Sequence, residues 1–312
     1  MSFKQKNNKF KKADKKSSVK SIIYVILSIL ILLALAYYLI PQGSDKWTVS
    51  DTGILSYPEN RGKVDVKILK TESGPDYILS TISFPSKDFT VEGLLRIPVT
   101  GKKVPGVVIL PGATIQKEGT QTLADIFSNM GYASIGIEQR NRGGVDMNYD
   151  YDLWKNKSEP VEHKMVFDAL RSVDVLRQEP SLDPDRIAIV GESNGGRFAI
   201  IAAAIDPGIS GVIGISTSGY DIESQIGDIR DENLIRFYRS IDPETYLGSI
   251  PPRKLVMIHS VNDTIIPIQL ARNTFKKAKE PKQFYTVTTG THGYSEGMKE
   301  PLENELKRIF KE

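Results

Sequence analysis

The arrangement of apolar and polar residues divides the chain into three parts. A run of 19 residues without a charge, Ile22–Ile40, comes first. Three segments follow in which apolar and polar residues alternate, the pattern of half-buried antiparallel strands; they lie at 64–70, 76–84 and 89–98. From the wholly apolar segment Val107–Leu110 to the C-terminus, strand-like and helix-like segments alternate.

The alternation in the third part predicts an α/β fold with a mostly parallel sheet and helices on both faces, since parallel strands need crossover connections. The first part of the sheet is expected to be antiparallel. Segment 217–253 interrupts the alternation with charged, partly helical sequence, and we expect it to form a small cap over the carboxyl ends of the strands. The predicted strands are 132–137, 186–190, 211–216, 254–259 and 283–288, and the predicted helices are 120–130, 161–178, 195–204, 268–278 and 297–310.

The apolar run has the length of a transmembrane helix. At about 1.5 Å per residue it spans roughly 28 Å, close to the thickness of about 30 Å of a bilayer core. Residues 1–20 contain eight lysines and one aspartate, and lysine-rich flanks stay in the cytoplasm. The sequence therefore predicts a basic cytoplasmic tail (1–20), a transmembrane anchor in contact with lipid (21–40), a linker (41–63) and an extracytoplasmic domain (64–312).

Two other interpretations of the apolar run remain open. Ala34-Leu35-Ala36 fits the small-residue pattern at which a secretory signal peptide is cleaved. The run could also be a buried core helix. We expect the anchor, because the apolar residues continue to Ile40 and the basic region is long for a signal peptide.

Composition removes several classes of protein. The 312 residues include no cysteine, which excludes disulfides, thiolate metal sites and a cysteine nucleophile. The three histidines, His163, His259 and His292, argue against a multi-histidine metal site, and we expect no metal or cofactor. The net charge of +3 comes from the tail and leaves −4 on the rest of the chain. Nucleic acid is therefore not an expected partner.

The most informative motif is the hexapeptide GESNGG at 191–196, which contains a G-x-S-x-G pattern. The apolar strand RIAIV leads into it and the helical stretch RFAIIAAA follows it, as in a nucleophile elbow. Ser193 is the candidate nucleophile. Gly191 and Gly195 would allow close packing around the turn, and the Asn194 N–H would face a developing oxyanion. The alternative is a glycine-rich turn with an incidental serine.

A serine nucleophile needs a base and an acid, which follow it along the chain in this architecture. Asp263 comes just after an apolar strand, although an aspartate beside Asn262 also suits a plain turn. His292 lies in a glycine-flanked loop before the last helix. We expect His259 to be structural, at the end of a core strand, and His163 to be exposed at the start of a helix. Three other carboxylates are less well placed: Asp231, Asp242 and Glu303.

A second oxyanion donor is expected in the loop after the first buried strand, whose sequence is LPGATIQKEG at 110–119. Gly112 permits a tight turn there. The Ala113 N–H is the first candidate and the Thr114 N–H the second. The alternative is an ordinary turn at the end of a strand.

Taken together, these stretches resemble the α/β-hydrolases of the prolyl-oligopeptidase and dienelactone-hydrolase type over about residues 80–310. The resemblance is carried by ISFPSKDFTVEGLLRIPVTGKKVPGVVILPGA, by SLDPDRIAIVGESNGG, by DPETYLGSIPPRKLVMIHSVNDTIIP and by THGY. It implies Ser193 as nucleophile, Asp263 as acid and His292 as base. Two departures concern the oxyanion region: Pro111-Gly112 stands where the family commonly has His-Gly, and Glu138-Gln139 falls in a turn that the family begins with aspartate and arginine.

The sequence thus predicts a membrane-anchored serine hydrolase that cleaves an ester through an acyl-enzyme, with its catalytic domain outside the cytoplasmic membrane. The substrate would be a small molecule or a short acyl or peptide compound. A serine peptidase acting on short peptides is the main alternative. A non-catalytic binding protein on the same fold is a third possibility, since fold alone does not determine function.

Overall fold

The computed structural model describes residues 23–31, 44–227 and 229–312. The chain divides into two units, Met1–Gly43 and Ser44–Glu312. In the first unit, residues 23–31 form a helix, α1, with exposed side chains. Most of the predicted anchor at 21–40 lies outside the described residues, and so does the predicted tail. Within the ranges described, no helix is both long enough and apolar enough to cross a bilayer.

A sheet of nine strands forms the centre of the second unit, in the order β11-β10-β9-β8-β6-β7-β5-β4-β3. The pairs β3–β4, β4–β5 and β5–β7 are antiparallel, and the pairs from β7 through β6 to β11 are parallel. This is the predicted mostly parallel sheet with an antiparallel N-terminal part. The strands are β3 Lys67–Ser73, β4 Tyr77–Ser86, β5 Phe89–Pro98, β6 Val104–Leu110, β7 Ala133–Ile137, β8 Leu182–Glu192, β9 Gly211–Ile215, β10 Lys254–Ser260 and β11 Lys282–Val287.

Burial explains which sequence pattern each strand carries. Every residue of β6, β7 and β9 is buried, so these strands are almost wholly apolar. The edge strand β3 is exposed along its whole length, and its lysines and glutamate suit an unpaired edge.

Helices cover both faces of the sheet. One hydrophobic core lies between the sheet and the helices α4 and α5, and a second lies between the other face and α2 and α9. The helices are α2 Gln121–Asn129, α3 Met147–Lys155, α4 Val161–Gln178, α5 Asn194–Ile205, α6 Ile222–Gln225, α7 Glu232–Ile241, α8 Ile268–Lys277 and α9 Lys299–Phe310. Helix α3 was not predicted, because its sequence MNYDYDLWK has no continuous apolar stripe.

The predicted linker differs from the structure. Of residues 41–63, the described part from residue 44 onward belongs to the folded unit. It contains a two-stranded sheet, β1 Thr48–Val49 and β2 Leu55–Ser56. Leu55 is fully buried, and Arg61 forms ion pairs with Asp174 and Asp206. Prolines and glycines suggested a linker, but apolar contacts and buried charges hold this segment to the domain.

The predicted exposure of His163 is wrong. The side chain is 1% exposed, and its Nε2 lies 2.7 Å from the Ser240 hydroxyl. Trp47 and Trp154 pack against the imidazole ring. Burial lowers the pKa of His163 to about 3, so the ring is neutral at physiological pH. The sequence pattern of α4 could not show that the segment around Trp47 packs over the N-terminal end of this helix and buries His163.

Segment 217–253, the predicted cap, contains α6, α7 and a 3-10 segment, Pro243–Ser249. Helix α7 packs against α3, where Phe237 contacts the rings of Tyr151 and Trp154. Two acidic residues of this segment, Asp231 and Asp242, accept hydrogen bonds from backbone N–H groups at the starts of helical segments.

Candidate active site

Ser193 occupies a strained turn between β8 and α5, with φ +52° and ψ −120°. Its N–H donates to the Ile215 carbonyl at 2.9 Å, and its carbonyl accepts from the Thr217 hydroxyl at 2.7 Å. A Cβ at Gly191 would lie 2.3 Å from the Gly195 carbonyl oxygen, and a Cβ at Gly195 would lie 2.3 Å from that of Leu110. Only glycine fits at either position, which is the packing that the G-x-S-x-G pattern predicts.

Asp263 and His292 form a hydrogen-bonded pair at the same edge of the sheet. The His292 Nδ1 lies 3.0 Å and 2.9 Å from the two carboxylate oxygens of Asp263. Asp263 follows β10 and is buried, and its Oδ1 also accepts from the N–H groups of Ile265 and Ile266. Burial opposes ionisation of the Asp263 carboxyl, but the Ile266 N–H, the His292 ring and the Ile265 N–H outweigh it and lower its pKa.

The loop that carries His292 lies against the serine turn. The Tyr294 N–H donates to Glu192 Oε2 at 2.8 Å, and the Ser216 hydroxyl donates to the Gly293 carbonyl at 3.3 Å. Glu192 immediately precedes Ser193. The fold therefore brings the turn of Ser193 close to the Asp263–His292 pair. In sequence, Asp263 lies 70 residues after Ser193, and His292 lies 29 residues after Asp263.

Sequence reasoning missed Glu192. Its carboxylate holds the loop after His292, and burial raises its pKa. The sequence did contain a signal: an acidic residue at the end of a buried strand, directly before Ser193. A carboxylate in that position is partly buried and needs a hydrogen-bond donor from the protein. Glu192 is therefore a structural link between two parts of the site.

The structure separates the two candidates for the second oxyanion donor. The Thr114 N–H donates to the Arg142 carbonyl at 2.7 Å and is already used. The Ala113 N–H has no acceptor among the described residues. A Cβ at Gly112 would lie 3.4 Å from the Ser193 Cβ, so this loop runs directly beside Ser193. The Asn194 N–H is at the first position of α5, where helix N–H groups lack intrahelical partners.

His259 is buried at the end of β10, where sequence placed it. Its Nε2 lies 2.8 Å from the Ile266 carbonyl and 3.3 Å from Asp263 Oδ2. Burial lowers the pKa of His259, so the ring is neutral and packs beside the Asp263 carboxylate. Glu303 lies within α9. In the described part of the chain, no group of three or more histidine or acidic side chains is arranged to hold a metal ion.

A mostly parallel sheet with a serine turn after one strand, and an Asp–His pair after two later strands, defines the α/β-hydrolase fold. Residues 91–233 match the model of the dienelactone hydrolase family. This match spans a little less than half of the chain, and in that part the chain is similar to dienelactone hydrolases, as the sequence resemblance indicated. The family match also supports the prediction that the protein is a hydrolase.

Sequence relatives and solved structures were also found. The uncharacterized protein YfhR of Escherichia coli is 31% identical over 153 residues, which are 46% of this chain and 51% of YfhR. The chain thus spans about half the length of the curated relatives that it matches. An acetyl xylan esterase from a Paenibacillus species superposes with a TM-score of 0.67 at 15% identity, over 80% of this chain and 90% of that one. A glucuronoyl esterase from Solibacter usitatus gives 0.62 at 13% identity, over 83% and 90%. Both likenesses show the fold.

Proposed function

We propose that the protein is a serine hydrolase that cleaves a carboxylic ester through an acyl-enzyme. The observation that carries this proposal is the strained Ser193 turn beside a buried carboxylate that is hydrogen-bonded to His292 Nδ1. This combination is costly to build and is typical of a nucleophile with its base and acid.

In the proposed reaction, His292 Nε2 takes the proton of the Ser193 hydroxyl as Oγ attacks the ester carbonyl carbon. Asp263 holds the proton on His292 Nδ1, which leaves Nε2 free to accept. The N–H groups of Asn194 and Ala113 stabilise the tetrahedral oxyanion. The C–O bond to the alcohol breaks, and the imidazolium protonates the departing oxygen. Water then attacks the acyl-enzyme with the same base and releases the acid and free Ser193.

An ester is favoured over an amide as substrate. The family match is to dienelactone hydrolases, and similar folds include acetyl xylan and glucuronoyl esterases. Segment 217–253 follows β9 at the carboxyl ends of the strands and would shape the acyl pocket. A serine peptidase acting on short peptides is the second outcome that the test below distinguishes.

The proposal includes a location. The uncharged run Ile22–Ile40 follows a lysine-rich tail, so we place the tail in the cytoplasm and the hydrolase domain outside it, with the run in contact with lipid.

The test uses covalent labelling and one matched pair of substrates. A fluorophosphonate probe should label the wild type, and Ser193→Ala should abolish both labelling and turnover while the melting temperature stays unchanged. A short-chain nitrophenyl ester should exceed a peptide anilide in kcat/KM by more than tenfold. Turnover by pure Ser193→Ala protein would contradict the nucleophile, and a preference for the anilide would indicate a peptidase.

A further inference from the structure

The two departures from the family pattern touch each other. Gln139 is 4% exposed, and its Nε2 donates to the Pro111 carbonyl at 2.5 Å. Pro111 begins the loop that carries Ala113. The Pro111 carbonyl can only accept, so the bond depends on the N–H donor of the Gln139 side-chain amide.

The peptide group that carries the Ala113 N–H is held in one orientation. Its carbonyl, that of Gly112, accepts from the Ile115 N–H at 3.3 Å. In a trans peptide the N–H points away from the C=O, so the Ala113 N–H is directed to the opposite side. The neighbouring Thr114 N–H is fixed by the Arg142 carbonyl. Bonds on both sides thus determine where the Ala113 N–H points.

The turn that supplies these partners is itself strained. Asn141 and Arg142 both have φ +49°, and Gly143 has φ +69°. A Cβ at Gly143 would lie 3.2 Å from the Ala113 Cα and 2.7 Å from Gln139 Nε2. Successive left-handed residues without glycine cost conformational energy and persist only where surrounding contacts hold them. Here the turn packs directly on the backbone of Ala113.

The Asn194 side chain joins this turn to the helix that follows the nucleophile. Its Nδ2 donates to the Gly143 carbonyl at 3.1 Å, and its Oδ1 accepts from Arg197 Nη1 at 2.7 Å. Asn194 therefore carries one proposed oxyanion donor on its backbone and, through its side chain, holds the turn that supports the other.

We propose that Gln139 and the side chain of Asn194 are positioning residues that fix the Ala113 N–H relative to the Asn194 N–H. This inference rests on the proposed function and deepens it. An oxyanion hole stabilises the transition state only if its donors are already in place before the charge develops. The turn at 139–143 would supply that preorganisation without touching the substrate.

The test compares Gln139→Met and Asn194→Ala with a control, each made in the full chain. Gln139→Met keeps the length of the side chain but removes the donor. Asn194→Ala keeps the backbone N–H but cuts the link to Gly143. Gln178→Met is the control, since the side-chain amide of Gln178 also donates to a backbone carbonyl, that of Asp174, but Gln178 is exposed and lies before β8, away from the turn at 139–143.

For Gln139→Met and Asn194→Ala we expect kcat on a nitrophenyl ester to fall about 10- to 100-fold, somewhat less than when a donor is removed outright. KM should change little. The affinity for a boronic acid, which forms a tetrahedral adduct with the serine, should fall by the same factor as kcat. Gln178→Met should leave all three quantities unchanged.

Unchanged kcat in both folded variants, or a loss confined to KM, would overturn the proposal. If Gln139→Met fails to fold, Asn194→Ala decides the question, because its side chain is partly exposed and its removal leaves no buried carbonyl unpaired at Pro111. If the wild type takes no fluorophosphonate label, the proposed function fails instead. If the wild type is labelled and the variants behave like it, only the positioning role fails.

Discussion

Asp263 makes two kinds of hydrogen bond with different consequences for substitution. In Asp263→Asn, the amide oxygen can still accept from the N–H groups of Ile265 and Ile266, so the turn should keep its geometry. The NH₂ group would then face His292 Nδ1 and favour the tautomer that has its proton on Nε2. We expect kcat to fall on the order of 10⁴-fold, with the melting temperature close to wild type. Near-normal kcat in Asp263→Asn would show that another carboxylate is the acid.

Glu162 is a residue whose burial opposes folding at neutral pH. It is 2% exposed, its Oε1 has no partner among the described residues, and its Oε2 accepts only a long bond from the Tyr220 hydroxyl, 3.3 Å. Burial, with the nearby charge of Asp150, raises the pKa of Glu162 from 4.5 to about 8. The folded chain therefore binds a proton that the unfolded chain releases between these two values. The free energy of unfolding must fall as pH rises through this window.

Glu162→Gln removes this proton linkage, because an amide stays neutral. We expect the variant to be more stable than wild type at pH 7, by about 1 to 3 kcal/mol, and equal to it below pH 4.5. Urea unfolding at pH 4.5, 7 and 8.5 measures the difference. Glu232→Gln, an exposed glutamate in the first turn of α7, is the control. Parallel pH profiles for wild type and Glu162→Gln would contradict the prediction.

At the scale of elements, the segment from residue 44 to residue 63 is part of the domain core. Tyr57 donates its hydroxyl proton to the backbone carbonyl of His163, at 2.8 Å, or to Glu159, at 2.5 Å. Arg61 is 8% exposed and pairs with two aspartates. Removing this segment would expose apolar surface and take one arginine partner from each aspartate, since Asp174 also pairs with Arg171 and Asp206 with Arg177. Losing part of a buried ion-pair network is costly.

We therefore expect a protein of residues 44–312 to fold and retain ester hydrolysis, and a protein of residues 64–312 to be insoluble or unfolded. Leu55→Ala in the longer form should lower the free energy of unfolding by about 2 to 5 kcal/mol, because Leu55 is fully buried. Thermal unfolding and soluble yield provide the measurement. A stable, active 64–312 protein would show that the segment only accompanies the domain.

At the scale of the whole molecule, positive and negative charges lie in different parts of the chain. The tail is strongly basic, whereas the rest of the chain carries a net charge of −4. We expect the full chain to stay with membranes through alkaline carbonate washing and residues 44–312 to remain in the supernatant. Protease added outside the cell should reach the domain. If N-terminal sequencing shows that the native protein begins at Tyr37, the apolar run is a cleaved signal peptide and the protein is secreted, which would contradict the predicted anchor.

The spacing of apolar residues predicted most of the fold, because a strand or helix with a buried face needs apolar residues at regular positions along its own sequence. The bounds of α4 follow from apolar residues at helical spacing, and β6, β7 and β9 follow from continuous apolar runs. Helix α3 has no such regular spacing of apolar residues, and it is stabilised instead by the contact of Trp154 with Phe237. The candidates Ser193, Asp263 and His292 also came from sequence, because each lies in the turn or loop after a recognisable strand.

What sequence by itself determined was therefore the alternation of elements, the fold class and the residues that end the strands at one edge of the sheet. Tertiary structure alone decided the contacts between segments far apart in the chain. Burial of His163 under Trp47, the bond from the Thr114 N–H to the Arg142 carbonyl, and the bond from Gln139 to Pro111 are of this kind. A local pattern records which face of an element is buried, but hydrogen bonds between distant loops leave no period in the sequence.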